Sequence, residues 1–469
     1  MNLKYNSGKI YNNWIKDSID VFSKWSDSDF FSDKGHHIYF YSGVDDESVS
    51  KLQNLLKDSS KTKIIDNISF PPKPIIIHLN SPGGSVLSMN LFNTIITTQR
   101  VPLCVIIEGL CASAATTLAL LAPYRIIIDY SSYLIHDMAG FSFGKEHEKI
   151  SEDFQFIYQW RSNYISLLKD RTSLSDEEIK KFISRDLLID ANYCLKNKII
   201  DRILKFPKIN NSSYYNKKKY SELSLNLDIF LKKTNLNHIY IDPDKIYDYE
   251  SVSSNDSSPT LLNAYTLSEL CISLDTYILN QKNNIIKPLL IHLKPSSGYL
   301  CNPLNIISLN YRLSLIQQKT PIIALIEGPQ KLDNLGLILM CPIKIMMTPS
   351  IISSTFSSIS SGSLKFGWKT IDVLYNTKYT IKNIIHFLKK FSKLPKRFYD
   401  ELPNKIINLK PKDLLKYKII DQVVNFRDIT PLELKNLESY YELDTLTSNY
   451  NNIPKTKKIN KKNKKRNNK

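Results

Sequence analysis

Apolar runs alternate along the first half of the chain with stretches of helical spacing. IYFYSG at 38–43 reads as a short β-run, and SVSKLQNLLKDS at 48–59 has apolar positions three and four apart. PIIIHLN, from Pro74, is a continuous β-branched run of the kind found in a strand buried on both faces. VLSMNLFNTIITTQ reads as an amphipathic helix and VPLCVIIEG as a second buried strand. ASAATTLALLAP reads as a helix stopped by Pro123, and RIIIDYSSYLIH as strands again. A long helix is predicted around 146–170. SDEEIKKFISRD then opens on Ser175 followed by acids, an N-cap signature. The alternation of strand and helix predicts an α/β layered fold.

The pattern occurs twice. PIIIHLN, SPGGSV and VPLCVIIEG in the first half correspond to PLLIHLK, PSSGYL and TPIIALIEG in the second. The halves end on KNKIIDRIL and KYKIIDQVV. His78 to His292 is 214 positions, Glu108 to Glu327 is 219, and Asp201 to Asp421 is 220. So constant an offset predicts a tandem duplication. The expected organisation is an N-terminal extension (1–35), a first domain (36–206), a linker (207–236), a second domain (237–428) and a C-terminal extension (429–469). The linker is polar and rich in Lys, Asn and Ser.

Composition bounds the reading. With 469 residues, 42% of them hydrophobic, the chain has ample length for a core. The net charge of +18 suggests an anionic partner, but nine Lys/Arg and no acid lie in Lys455–Lys469. That tail is too polar to order itself, and any nucleic-acid contact is expected only through it. Six cysteines without a CxxC pair argue against a zinc knuckle or a disulfide scaffold. With no apolar signal core at the N-terminus and no run long enough to span a bilayer, the expectation is an intracellular chain, cytoplasmic or organelle stroma-like, not secreted and not in a membrane.

Candidate chemistry gathers in the first copy. Asn80-Ser81-Pro82-Gly83-Gly84 follows a buried strand and precedes a helix, where a Gly pair lets backbone N–H groups face a cavity. Ser113, flanked by small residues, joins the next strand to the next helix. His136 ends the following strand pair and Asp186 comes fifty residues later. Nucleophile, base and orienting acid are what serine acyl transfer requires, with Asp137 and Asp190 competing for the acid's role.

NSPGGSV, the EG-x-x-A-S-A turn, the LIH strand end and R-D-x-x-x-x-A before KIID together resemble the proteolytic subunit family of the ATP-dependent Clp protease. The resemblance spans nearly all of the first domain. It implies a ClpP/crotonase-like fold used twice, with the helix around 146–170 as the family's handle between stacked rings. It also implies a serine endopeptidase acting on unfolded polypeptides. Ser113 would be the nucleophile, His136 the base and Asp186 the third triad member, with Gly84 and Ala114 N–H groups as the oxyanion hole. No metal or organic cofactor is implied. ATP would belong to a partner AAA+ unfoldase, because no phosphate-binding GxxxxGK[ST] loop is present. The implied assembly is a homo- or hetero-oligomeric ring.

The chain departs from the family at Ala114, where Met is usual, and at Asp137-Met138, where Gln-Pro is usual. Its N-terminal 35 residues do not resemble the family's axial segment. In the second copy Leu332, Thr355 and Ile406 align with the three triad positions, and PGG becomes Ser296-Ser297-Gly298. That copy is expected to be a pseudo-protease domain. The alternatives are a non-catalytic or regulatory ring subunit and, ranked below it, a crotonase-like acyl-CoA enzyme. Signal-peptide peptidases, which pair Ser with Lys, are disfavoured because the second copy offers no matching serine.

Overall fold

The computed structural model describes residues 9–137 and 147–207. In the C-terminal half it describes 237–241, 250–254, 266–280, 289–295, 306–318, 322–331, 335–341, 343–348, 352–353, 382, 385–386, 388–389, 394–401 and 407–425. The linker from 208, the second copy's Leu332, Thr355, Ile406 and Ser296-Ser297-Gly298, and the tail Lys455–Lys469 lie outside the described residues.

Helix α1 (Lys9–Phe22) and a short 3-10 turn (Asp27–Phe31) precede the first sheet. This N-terminal extension packs onto the body: Trp14 is buried and its Nε1 donates to the Val101 carbonyl at 2.7 Å. Strand β1 (His36–Ser42) and helix α2 (Asp46–Ser59) follow, then a small hairpin of β2 (Lys63–Ile65) and β3 (Ile68–Phe70). Next come β4 (Ile75–Ser81), α3 (Val86–Thr97), β5 (Leu103–Ala112), α4 (Ala115–Leu121), β6 (Tyr124–Ile128) and β7 (Ser132–Ile135). The half closes with α5 (His147–Arg171), α6 (Asp176–Ser184), β8 (Leu187–Asp190), α7 (Ala191–Lys196) and β9 (Arg202–Leu204). The helix predicted around 146–170 is α5. The cap read at Ser175 is a full capping box with Glu178, each side chain bonding the other's backbone N–H.

β1, β4, β5, β6 and β9 lie side by side in that order, with β1–β4, β4–β5, β5–β6 and β6–β9 parallel. Every residue of β4 and β5 is buried, the pattern of central strands covered on both faces. The two faces differ. Ile38, Phe40, Ile75, Ile77, Leu79 and Val105 pack against the first half's own helices. Tyr39, Tyr41, Ile76, Cys104 and Ile106 share a core with the C-terminal half.

The C-terminal half contributes β10 (Asn237–Ile241), β11 (Glu250–Ser254), α8 (Leu267–Asn280), β12 (Leu289–Leu293), α9 (Ile306–Gln317), β13 (Ile322–Ile326), β14 (Gln330–Lys331), β15 (Ile343–Thr348), β16 (Ile352–Ser353), β17 (Asn408–Leu409) and β18 (Gln422–Asn425). Its sheet runs β10-β12-β13-β15-β18, the order of the first. Matching contacts recur. His78 Nδ1 meets Glu108 Oε1 at 2.6 Å, and His292 meets Glu327 at 2.6 Å. Tyr39 stacks on His78 and Tyr240 on His292, with ring centres 4.6 and 4.3 Å apart. The Arg125 N–H donates to the Asp201 carboxylate and the Asp201 N–H to the Arg125 carbonyl, and Lys344 and Asp421 make the same two bonds.

The halves are interleaved. β11 lies within the span read as the second domain, yet it pairs antiparallel with β1, Phe40 opposite Val252. Helix α9 is buried around almost its whole circumference and packs on β5 and β6 as well as on β13. The described residues up to Val424 form one compact unit.

Candidate active site

The site is assembled by strand register. β5 and β7 run parallel with Ala112 beside Leu134, and the Ser113 N–H continues the ladder to the Leu134 carbonyl at 3.1 Å. β7 and β8 run antiparallel with Ile135 opposite Leu187. One step further outward, the register sets His136 against Asp186. Directly opposed residues project to the same face, and His136 Nδ1 lies 3.3 Å from Asp186 Oδ1, both side chains partly exposed. Ser113 and His136 therefore follow the C-terminal ends of neighbouring parallel strands.

Ser113 has φ +55, a left-handed backbone that L-residues with a side chain seldom adopt. Such a turn between strand and helix lifts the serine side chain clear of the sheet. The start of α4 is anchored from two sides. The Tyr133 hydroxyl donates to the Thr116 carbonyl at 3.1 Å, and Thr116 Oγ1 meets the Tyr164 hydroxyl of α5 at 2.6 Å.

Beside this turn lies the glycine loop. Gly83 has φ +89, and a Cβ there would sit 2.5 Å from Ser113 Cβ and 2.6 Å from the Ala112 carbonyl. Gly84 has φ +153, and its Cβ would meet the Val44 carbonyl at 2.3 Å. Neither position admits a side chain, so the loop can approach the serine closely. The bridge to Val44 runs from Val44 N–H to the Gly83 carbonyl and from Ser85 N–H to the Val44 carbonyl. It leaves the Gly84 N–H unused. Ala114 precedes α4, in the first turn whose N–H groups have no intrahelical acceptor.

The competing carboxylates are engaged elsewhere. Asp137 pairs with Arg161 of α5 at 3.0 Å. Asp190 caps α7, accepting from the Tyr193 N–H at 2.8 Å. The five described cysteines are buried and unbridged, and burial pushes their thiols upward in pKa. No helix among the described residues is long and apolar enough to cross a membrane.

A second group of polar side chains was not legible as a site. His37, Tyr39, Tyr41, His78 and Glu108 lie on one face of β1, β4 and β5, all buried. Alternating positions of adjacent strands share a face, so the signal was the odd-even placement of polar residues in HHIYFYS, IIIHLN and LCVIIEG.

The layout of parallel strands, glycine loop, left-handed serine turn and His–Asp pair defines an α/β protein whose candidate site lies at the carboxyl ends of the central strands. Residues 33–206 match the sequence model of the Clp protease family. The ATP-dependent Clp protease proteolytic subunit of Leuconostoc citreum (strain KM20) is 28% identical over 161 residues, 33% of this chain and 80% of that protein. Proteolytic subunit 3 of Synechococcus sp. (strain CC9605) is 29% identical over 140 residues, 29% of this chain and 68% of that protein. Among solved structures, ClpP1 from Listeria monocytogenes aligns over 38% of this chain and 92% of its own, with 22% identity and a TM-score of 0.30.

Proposed function

We propose that this chain is a serine endopeptidase of the Clp proteolytic-subunit type, acting on unfolded polypeptides through its N-terminal half. The observation that carries the reading is the His136–Asp186 contact of 3.3 Å beside the left-handed turn at Ser113. Asp186 holds the His136 tautomer whose Nε2 accepts the Ser113 proton as Oγ attacks the peptide carbonyl. The Gly84 and Ala114 N–H groups receive the charge developing on the carbonyl oxygen. Loss of one such donor typically removes about 3 kcal/mol of transition-state stabilisation. His136 then protonates the leaving amine, and water releases the acyl group. The cycle uses side chains and backbone alone, and any ATP-driven unfolding belongs to a partner AAA+ protein in a ring-shaped assembly.

The C-terminal half is a degenerate copy of the same fold without the triad chemistry. The shared strand order, the repeated His–Glu and Tyr–His contacts and the Lys344–Asp421 counterpart of Arg125–Asp201 support this reading.

A fluorophosphonate probe tests the function. The full chain is expected to be labelled once, at Ser113, and Ser113→Ala to lose both label and peptidase activity. Activity retained in Ser113→Ala overturns the mechanism. A correctly folded wild type that takes no label favours a non-catalytic ring subunit.

A further inference from the structure

The two strands that lead into the site do not run in unbroken register. Ile75 to Leu79 on β4 pair with Leu103 to Ile107 on β5, but Ser81 then pairs with Cys111. Glu108, Gly109 and Leu110 therefore bulge opposite Asn80. Gly109 has φ +128. Side chains satisfy the bulge: Asn80 Oδ1 accepts the Leu110 N–H at 3.0 Å and Ser131 Oγ accepts the Gly109 N–H at 2.8 Å. A bulge bends its strand and re-aims the residues beyond it. Ser113 lies only five positions past Glu108.

Glu108 places a carboxylate in this bulge with no exposure to water. Its Oε1 meets His78 Nδ1 at 2.6 Å and its Oε2 accepts from the Tyr41 hydroxyl. A guanidinium from 204 positions away contacts it directly. Arg312 of α9 donates Nη1 to Glu108 Oε2 at 2.8 Å and Nη2 to Oε1 at 3.3 Å. The guanidinium is fully buried. Its Nε binds both oxygens of Asp275 at 2.9 and 3.0 Å, and its central carbon lies 5.0 Å from the Phe31 ring centre. Asp275 in turn accepts from the Tyr39 hydroxyl at 2.6 Å.

We propose that Arg312 is a positioning residue for the Ser113 site, clamping the Glu108 bulge so that β5 delivers the nucleophile turn at the glycine loop. The inference rests on the serine-peptidase reading only for its effect on rate; the clamp itself is independent of it. The C-terminal half, without chemistry of its own, thereby supplies a required part of the site. An apolar residue at 312 would leave the buried carboxylates of Glu108 and Asp275 without their shared guanidinium, which is strongly destabilising. Burial alone would push the Glu108 carboxyl up in pKa, but the guanidinium and His78 hold it down to about 2, so it is ionised at neutral pH.

The test uses the full chain with Arg312→Met, and with Arg312→Met combined with Glu108→Gln and Asp275→Asn, which neutralises both carboxylates that the guanidinium binds. Hydrogen exchange is followed in 108–114 and, as a reference, in 187–196. The fluorophosphonate reaction rate and the kcat and KM for a short peptide are measured alongside. For the single variant, exchange in 108–114 is expected to accelerate at least tenfold while 187–196 is unchanged. Labelling and kcat are expected to fall at least tenfold, with KM unchanged. The combined variant is expected to recover most of each, because neutral amides in place of the two carboxylates that Arg312 binds need no countercharge. Unchanged exchange in 108–114, or equal acceleration in both segments, overturns the proposal. If the single variant does not fold, the combined variant decides: wild-type exchange and labelling support the clamp, and a folded combined variant with a loosened 108–114 overturns it. A wild type that takes no label counts against the reading of Ser113 alone, since exchange still decides the clamp.

Discussion

His136 stands opposite Asp186 because β7 and β8 pair antiparallel with Ile135 against Leu187, and the next pair outward is His136–Asp186. The proposed orienting acid is therefore placed by backbone register. Asp186→Asn should keep the geometry while favouring the wrong imidazole tautomer. The expected result is a fall in kcat on the order of 10⁴-fold with little change in KM. Steady-state kinetics with a short peptide check this, with the thermal midpoint as a control.

The glycine loop should tolerate no side chain. Gly83→Ala sets a Cβ 2.5 Å from Ser113 Cβ, and Gly84→Ala sets one 2.3 Å from the Val44 carbonyl, both on positive-φ backbone. Each should lower stability by roughly 1–3 kcal/mol from backbone strain alone. Gly84→Ala should in addition slow acylation about a hundredfold or more by displacing an oxyanion donor. Urea unfolding and labelling rate, measured on the same preparations, separate the two effects.

Acid should destabilise the fold through His37. Burial, and after it the neighbouring His78, push the His37 imidazole down to about 3 from its ordinary 6.5. The folded state thus excludes a proton that the unfolded chain takes up. The stability this represents is fully present above pH 6.5 and is lost as pH falls toward 3, at up to about 1.4 kcal/mol per pH unit. His37→Gln should flatten that slope. Urea midpoints of the two proteins at pH 7 and pH 5 supply the comparison, and equal slopes would exclude His37 as the source.

The N-terminal half should not stand alone. Tyr39, Tyr41, Ile76 and Ile106 lie on the sheet face that shares its core with the C-terminal half. A chain ending at residue 207 is expected to be insoluble, or soluble with strong binding of a hydrophobic dye. A monomeric, cooperatively unfolding product would show that the face needs no cover.

Much of the first half was legible because its signals are local. PIIIHLN and VPLCVIIEG became β4 and β5, and the Ser175 cap became the start of α6. Ser113, His136 and Asp186 could be singled out because each sits at the end of an element that a short window detects. His78, Glu108 and Arg312 could not be joined in this way. His78 and Glu108 served only as register marks for the repeat, and nothing near Arg312 in sequence suggests a buried partner 204 residues away. A charge in a helix ordinarily marks a solvated face, whereas α9 has almost none. The packing of α1 was missed for a similar reason, since Trp14 finds its acceptor at Val101, far along the chain.

β11 has a consequence for how copies of this protein can meet. An uncovered outer strand is an open template on which another polypeptide can add by backbone pairing. Here β1 is already occupied by Glu250–Ser254 of its own chain. Among the described residues, the outermost strand on that side is then β11, five residues long, with an acid and three serines around Val252. Short and polar, it makes a poor template, so runaway growth of this sheet from that side is blocked by the protein itself.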